Sequence, residues 1–280
     1  MLVHETSTEK EKSDFFKINP STLCKYRIWS DDFHKRAITD NELFFSSPKK
    51  FNDPYDCGLP FRQHPNNSDP VVIKFMVERT ALNKFPELKY DKKALEEKCA
   101  RQLFLIQQNP ESWFEMNWGL KPENLNEIFG VLSLTPHTNN YLMWSHYSNS
   151  HKGFCIEFDT RKLVESIGGH FQQVQYEKEI PFISITDTLE NELLPKLIYT
   201  KSCFWKYEDE YRFSRIHKTD FAIAFNPDAL VSIHFGYNMK YEEQVEIIKI
   251  VKEKYPQAKF YKMELDKDTF KLNSGELKIL

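Results

Sequence analysis

Glycine is scarce here, with eight residues in a chain of 280. Few positions can therefore turn left-handed at no steric cost. Neither a G-x-G-x-x-G fingerprint nor a Walker loop is present, which excludes the common glycine-built phosphate cradles. No C-x-x-C pair occurs among Cys24, Cys57, Cys99, Cys155 and Cys203. That excludes a zinc knuckle and a redox dithiol, and an odd, scattered set reads as free buried thiols in a reducing compartment. No apolar run approaches the roughly 20 residues of a membrane span. The stretch from His4 to Lys12 is polar and charged, without an apolar leader core, so a cytoplasmic chain with no membrane partner is expected. Long runs of one charge sign are missing too. Lys and Arg number 38 against 41 Asp and Glu, interspersed, for a net charge of −3. A broad electrostatic footprint on duplex nucleic acid is therefore not expected, although a small basic groove is compatible with the sequence.

What the chain has in excess is aromatic side chains, with 23 Phe and 13 Tyr. Together with 40% hydrophobic residues they predict a Phe-rich packed core and an aromatic-lined site. Residues 1–18 read as a polar, frayed lead-in. Residues 19–280 read as a single α+β domain, a largely antiparallel central sheet with a helical insertion over about 69–126. Strands are expected at 23–29, 42–46, 129–134, 153–158, 171–176, 207–215, 221–225, 231–235 and 260–265. Helices are expected at 31–38, 70–84, 92–108, 110–118, 160–167, 189–203 and 241–254. In the fourth predicted strand Phe154, Ile156 and Phe158 share a face. In the helix at 92–108, Leu95, Cys99, Leu103 and Ile106 recur at helical spacing.

Four stretches carry chemistry. Lys25-Tyr26-Arg27 places a guanidinium on the first strand, where its planar fork suits a carboxylate or phosphate; the plain alternative is a surface ion pair. Phe51-Asn52-Asp53-Pro54-Tyr55-Asp56 is a turn signal. It reads as a rigid scaffold of the site, presenting Asp53 and Asp56 to a ligand or to Arg27, or simply as a capping turn. Trp144, His146 and Tyr147 crowd a short polar loop. His can act as acid, base or donor near neutrality, and Trp and Tyr can sandwich a planar ring; the alternative is an aromatic corner locking a loop to the sheet. Lys201, Trp205, Tyr207, Glu208, Glu210 and Arg212 form the last stretch. On a strand Glu208, Glu210 and Arg212 face one side, either as a solvated ladder or as a polar site, and Trp205 and Tyr207 beside them are expected to be buried. Asp53, Asp56, Glu208, Glu210 and His146 could hold a divalent ion, but no metal-ligand spacing is present and no metal residue is assigned.

The strings KYR, FFSSPKKFNDPYD, LMWSHYSNSHKGFCIEFD and KSCFWKYEDEYRF resemble the bacterial proteins grouped as domain-of-unknown-function family 2971. The resemblance runs over about residues 22–265 and includes Val231-Ser-Ile-His-Phe-Gly. More distantly, the order of elements looks like that of ADP-ribosyltransferase-type folds. That likeness implies Arg27 at a first motif, Tyr147 or His146 near a second, and Glu208 or Glu210 at a third. The chain departs from the pattern, since no clean H-Y-E or R-S-E triad is present and the insertion is large. The implied function is an NAD-dependent ADP-ribosyltransferase-like effector, a toxin or phage-defence component, with NAD as substrate and a protein or nucleic acid as acceptor. Glu210, Glu208, His146 and Tyr147 would then be catalytic. Arg27, Tyr26, Trp144, Asn52, Asp53 and Arg212 would bind the dinucleotide. The rivals are a nucleotide- or nucleic-acid-binding module without turnover, and a metal-dependent hydrolase or nuclease.

Overall fold

The computed structural model describes residues 9–58, 62–109 and 122–278. In chain order they form α1 (Glu9–Ile18), β1 (Thr22–Arg27), α2 (Asp32–Thr39), β2 (Glu42–Phe45), β3 (Arg62–Gln63), α3 (Pro70–Lys84) and α4 (Lys92–Gln108). There follow β4 (Phe129–Leu134), α5 (Tyr141–Tyr147), β5 (Phe154–Asp159), α6 (Thr160–Ile167), β6 (His170–Gln173), β7 (Gln175–Glu177), β8 (Phe182–Ile183), α7 (Leu194–Tyr199) and β9 (Thr200–Ser202). The chain closes with β10 (Tyr211–Ile216), β11 (Phe221–Ala224), β12 (Leu230–Phe235), α8 (Tyr241–Lys254), β13 (Lys259–Leu265) and β14 (Leu272–Glu276). The fold is α+β, and its sheets are largely antiparallel. No helix among the described residues is long and apolar enough to cross a membrane.

The chain divides into two compact units. One comprises Met1–Ser47, Phe129–Tyr176 and Cys203–Leu280, the other Pro48–Ile128 and Glu177–Ser202. In the first, a five-stranded sheet runs β1-β5-β12-β13-β14, antiparallel except for β12 with β13. A three-stranded antiparallel sheet runs β4-β10-β6. Backbone hydrogen bonds between Cys24 and Thr135 join the edge of β1 to the end of β4. Period-two alternation splits the large sheet into two faces. Leu23, Phe154, Ile156, Phe158, Ile233 and Phe235 enter the main core with Ile247 and Val251 of α8. Cys24, Tyr26, Cys155, Met263 and Leu272 pack on the other face against Met143 and Trp144 of α5. The second unit has its own core, in which Ile73, Met76 and Val77 of α3 meet Leu95, Cys99 and Ile106 of α4 and Leu197 of α7. The helical insertion expected at 69–126 falls inside this unit, which begins earlier, at Pro48, and takes in a second segment, Glu177–Ser202.

Several expectations need correction. Residues 9–18 are helical rather than frayed, and Phe15 is buried with its ring edge against Phe171 at 5.7 Å. The Trp-His-Tyr stretch is a helix, not a loop. Asn140 caps it, accepting from the N–H groups of Leu142 and Met143, and this cap outweighs the stretch's polar look. Asn149, Ser150 and His151 then take left-handed conformations that stop the helix. The strand expected at 207–215 begins only at Tyr211. Cys203–Glu208 is a 3-10 turn and Asp209 has φ +46°, so alternation does not reach Glu208. The helix expected at 189–203 gives way to a strand at Thr200. The helix expected at 110–118 lies outside the described residues.

Candidate functional site

The site is built in the first unit, around β1. On one face of this strand Tyr26 meets Trp144 edge-on at 5.0 Å. Tyr26 Oη donates to the His137 carbonyl oxygen at 2.6 Å, and Trp144 Nε1 donates to that of Thr138 at 2.8 Å. Both rings are buried and both polar handles are satisfied. They pin the 137–140 segment and α5 to the sheet and present no ring face to a ligand, which corrects their expected place in dinucleotide binding. Lys25 and Arg27 alternate to the opposite face and are half-buried. Gly153 fixes this end of β1, because a Cβ there would lie 2.1 Å from the Arg27 carbonyl oxygen.

The side of α5 next to the 3-10 turn carries the next group. Asn140 Nδ2 donates to the Tyr207 carbonyl oxygen at 2.5 Å, binding the turn to the helix cap. His146 is exposed, and its ring centroid lies 6.2 Å from those of Trp205 and Tyr207 and 6.3 Å from that of Tyr147. Trp205 and Tyr207 are half-buried, not buried as the sequence suggested, because they sit on an exposed turn instead of a central strand. Tyr147 Oη donates to Glu208 Oε1 at 2.5 Å. Asp209 accepts from Gln173 Nε2 at 2.7 Å and lies 3.2 Å from His137 Nε2, holding its left-handed turn in place.

Across that turn, Glu210 and Arg212 form a bidentate pair, Nε to Oε1 at 2.7 Å and Nη2 to Oε2 at 2.9 Å. Arg212 is fully buried and Glu210 nearly so. The Glu210 N–H donates to Tyr176 Oη at 2.8 Å. Arg212 sits opposite Ser133 in β4, and the Ser133 carbonyl oxygen accepts from Lys25 Nζ at 2.5 Å. Lys25, Ser133 and Arg212 therefore connect β1, β4 and β10 side by side.

The electrostatics follow from this crowding. Burial pushes the Lys25 amine well below the usual ammonium range and Arg27 adds to the shift, while Glu210 and Glu208 pull it back up. Burial lowers Arg27 to about 10, against an opposing pull from Asp31. Burial, then the charge of Arg27, lowers His34 on α2 to about 4, so its ring is neutral at pH 7, with Nδ1 accepting from the Ile28 N–H.

Of the sequence-derived candidates, His146, Tyr147, Glu208, Glu210 and Arg212 belong to this connected group, while Arg27 lies two residues beyond Lys25 on β1, in contact with the Tyr26 carbonyl oxygen and drawn on by the charge of Asp31. Asn52 and Asp53 lie in the second unit. There Asn52 is exposed, and Asp53 is buried and accepts from the Tyr55 N–H at 2.9 Å. In that unit Asp56 pairs with Lys201 at 3.3 Å, both buried, rather than with Arg27. No three His, Cys, Asp or Glu side chains among the described residues form a metal-holding group.

Sequence reasoning missed Lys25 as a site residue, although the alternation that singles out Arg27 puts Lys25 on the same face. It also missed a network on the other face of the sheet. Ser232 Oγ donates to Glu157 Oε2 and lies 2.8 Å from His234 Nε2, itself 3.3 Å from the same carboxylate oxygen. Nothing in the local pattern links β5 to β12.

Residues 143–213 match the model of a family described as protein of unknown function (DUF2971). The chain is similar to that family over this stretch, which begins in α5 and ends in β10. It contains Trp144, His146, Tyr147, Glu208, Glu210 and Arg212, and it excludes β1. No curated protein and no solved structure matches the chain.

Proposed function

We propose that this group binds NAD and cleaves its nicotinamide–ribose bond, passing ADP-ribose to an acceptor in the manner of an ADP-ribosyltransferase. One observation carries the reading. Two carboxylates flank the left-handed Asp209, Glu208 held by Tyr147 and Glu210 by Arg212, and the half-buried Lys25 lies near enough to feel both, with Arg27 two residues along the same strand. Glu210 is oriented before any ligand arrives, which is what electrostatic stabilisation of a ribose oxocarbenium centre requires. Arg27 supplies a fork for phosphate oxygens. His146, Trp205 and Tyr207 supply ring faces and edges for the nicotinamide. The bond that breaks joins ribose C1′ to the pyridinium nitrogen, whose departure with the electron pair releases neutral nicotinamide. The acceptor oxygen or nitrogen forms the new bond to C1′, and Glu208 takes up its proton.

A second reading, nucleotide binding without turnover, is favoured by one fact: both Glu210 oxygens are already held by Arg212. Nicotinamide release with NAD in excess separates the two. Under the transferase reading Glu210→Gln lowers release on the order of 10²–10³, with NAD affinity by calorimetry little changed. Unchanged release in both Glu208→Gln and Glu210→Gln overturns it, and wild-type binding without release selects the binder.

A further inference from the structure

The cations of β1 carry more donors than the fold uses. An ammonium has three N–H donors and a guanidinium five. Lys25 donates to the Ser133 carbonyl oxygen, and Arg27 makes a single 3.3 Å contact to the Tyr26 carbonyl oxygen. Neither meets a carboxylate at ion-pair distance among the described residues. The acids around them are already engaged. Glu208 accepts from Tyr147, Glu210 is clamped by Arg212, and Asp31 caps α2 by accepting from the N–H groups of Phe33 and His34. His34, facing Arg27 from α2, is neutral at pH 7 and adds no charge.

Alternation puts Lys25 and Arg27 on the same face, about 7 Å apart along the strand. Two half-buried cations with unspent donors are costly unless something negative completes them. We propose that Lys25 and Arg27 act as a pair that binds a phosphoanhydride, so that the ligand of this site carries two linked phosphates. The guanidinium fork takes one phosphate in a bidentate contact and the ammonium acts as a point charge on the next. A monophosphate leaves one cation incomplete, and an uncharged nucleoside leaves both. The inference rests on the nucleotide-site reading above and makes Lys25 its second anion contact. Burial, with Arg27 adding to it, is what lowers the Lys25 pKa, and a phosphate bound there would act against that shift.

Calorimetry on the full chain tests it with three probes: inorganic pyrophosphate, inorganic phosphate and nicotinamide riboside. Pyrophosphate should bind at least about tenfold tighter than phosphate, the size of one lost charge-assisted hydrogen bond, and the riboside more weakly still. Lys25→Met and Arg27→Gln should each weaken pyrophosphate by about tenfold or more, and Lys25→Arg should retain most of the affinity. Equal affinity for the two anions, or wild-type affinity in Lys25→Met, overturns the inference. If Lys25→Met does not melt cooperatively, the wild-type preference for pyrophosphate over phosphate decides alone. Pyrophosphate held through Lys25 without nicotinamide release from NAD keeps this inference and removes the transferase. Nicotinamide release without a preference for pyrophosphate does the reverse.

Discussion

The phenol of Tyr147 donates to Glu208 Oε1 at 2.5 Å, so the last residue of α5 holds the carboxylate that closes the 3-10 turn. Helix and turn are also tied through Asn140 and the Tyr207 carbonyl oxygen. The first bond holds the Glu208 side chain and the second holds the backbone of the residue before it.

Removing the phenolic oxygen should therefore be felt in stability as well as activity. Tyr147→Phe keeps the ring but takes a donor from a buried carboxylate. The expected loss is about 1–3 kcal/mol, the cost of leaving such a group short of a partner. Urea denaturation of the two proteins measures it. A midpoint equal to wild type would mean the bond contributes nothing to folding.

The Glu210–Arg212 pair gives a sharper contrast. Arg212→Met strands a buried carboxylate and should cost about 3–5 kcal/mol. Arg212→Met combined with Glu210→Leu removes both charges and should recover most of that loss, because desolvation largely offsets the attraction within a buried pair. A double variant no more stable than the single one would show that other partners of these residues dominate.

Acid stability should report on Glu157. Burial by itself raises its pKa, but hydrogen bonds from His234, Ser232 and Thr22 and the charge of His234 outweigh burial and bring it to about 2. The folded value lies below the ordinary 4.5. Its stabilising contribution is therefore complete above the unfolded pKa and lost as pH falls from there toward about 2. Denaturation midpoints across that window should fall less steeply in Glu157→Gln than in wild type. Parallel slopes would assign the acid sensitivity to other carboxylates.

The two tryptophans next to the site should separate. Trp144 is fully buried between α5 and the sheet, so Trp144→Ala should cost about 3–5 kcal/mol. Trp205 is half-buried on the turn, and its removal should cost clearly less while still affecting any ring held beside His146. Thermal melts of both variants check the order, and an equal loss would place Trp205 in the core.

The strands and helices with strong periodicity were legible in the sequence. Phe154, Ile156 and Phe158 share a core face, as do the helical repeats of α4, because burial on one side imposes the pattern. What the pattern could not tell is where a cap or a left-handed residue overrides it. Asn140 turned an apparent loop into a helix, and Asp209 cut short an apparent strand, so Glu208 and Glu210 are related by a turn rather than by pleating. Tyr26 looked like a ligand aromatic because the carbonyl oxygen its hydroxyl finds lies more than 100 positions away. Pairings across such separations are set by strand order, which local composition does not encode.

The first unit is assembled from three separate stretches of chain, and this has a consequence for synthesis on the ribosome. The strand that carries Lys25 and Arg27 leaves early, but its neighbour β5 lies more than a hundred residues downstream and Arg212 later still. Until residues after Cys203 emerge, β4 has no β10 to pair with, and the main core lacks Ile233, Phe235, Ile247 and Val251. Closing such distant contacts is slow and leaves apolar strand edges open in the meantime. A nascent chain therefore cannot complete its β4–β10 pairing or its main core until these late residues have emerged, which gives folding helpers a long interval to engage it.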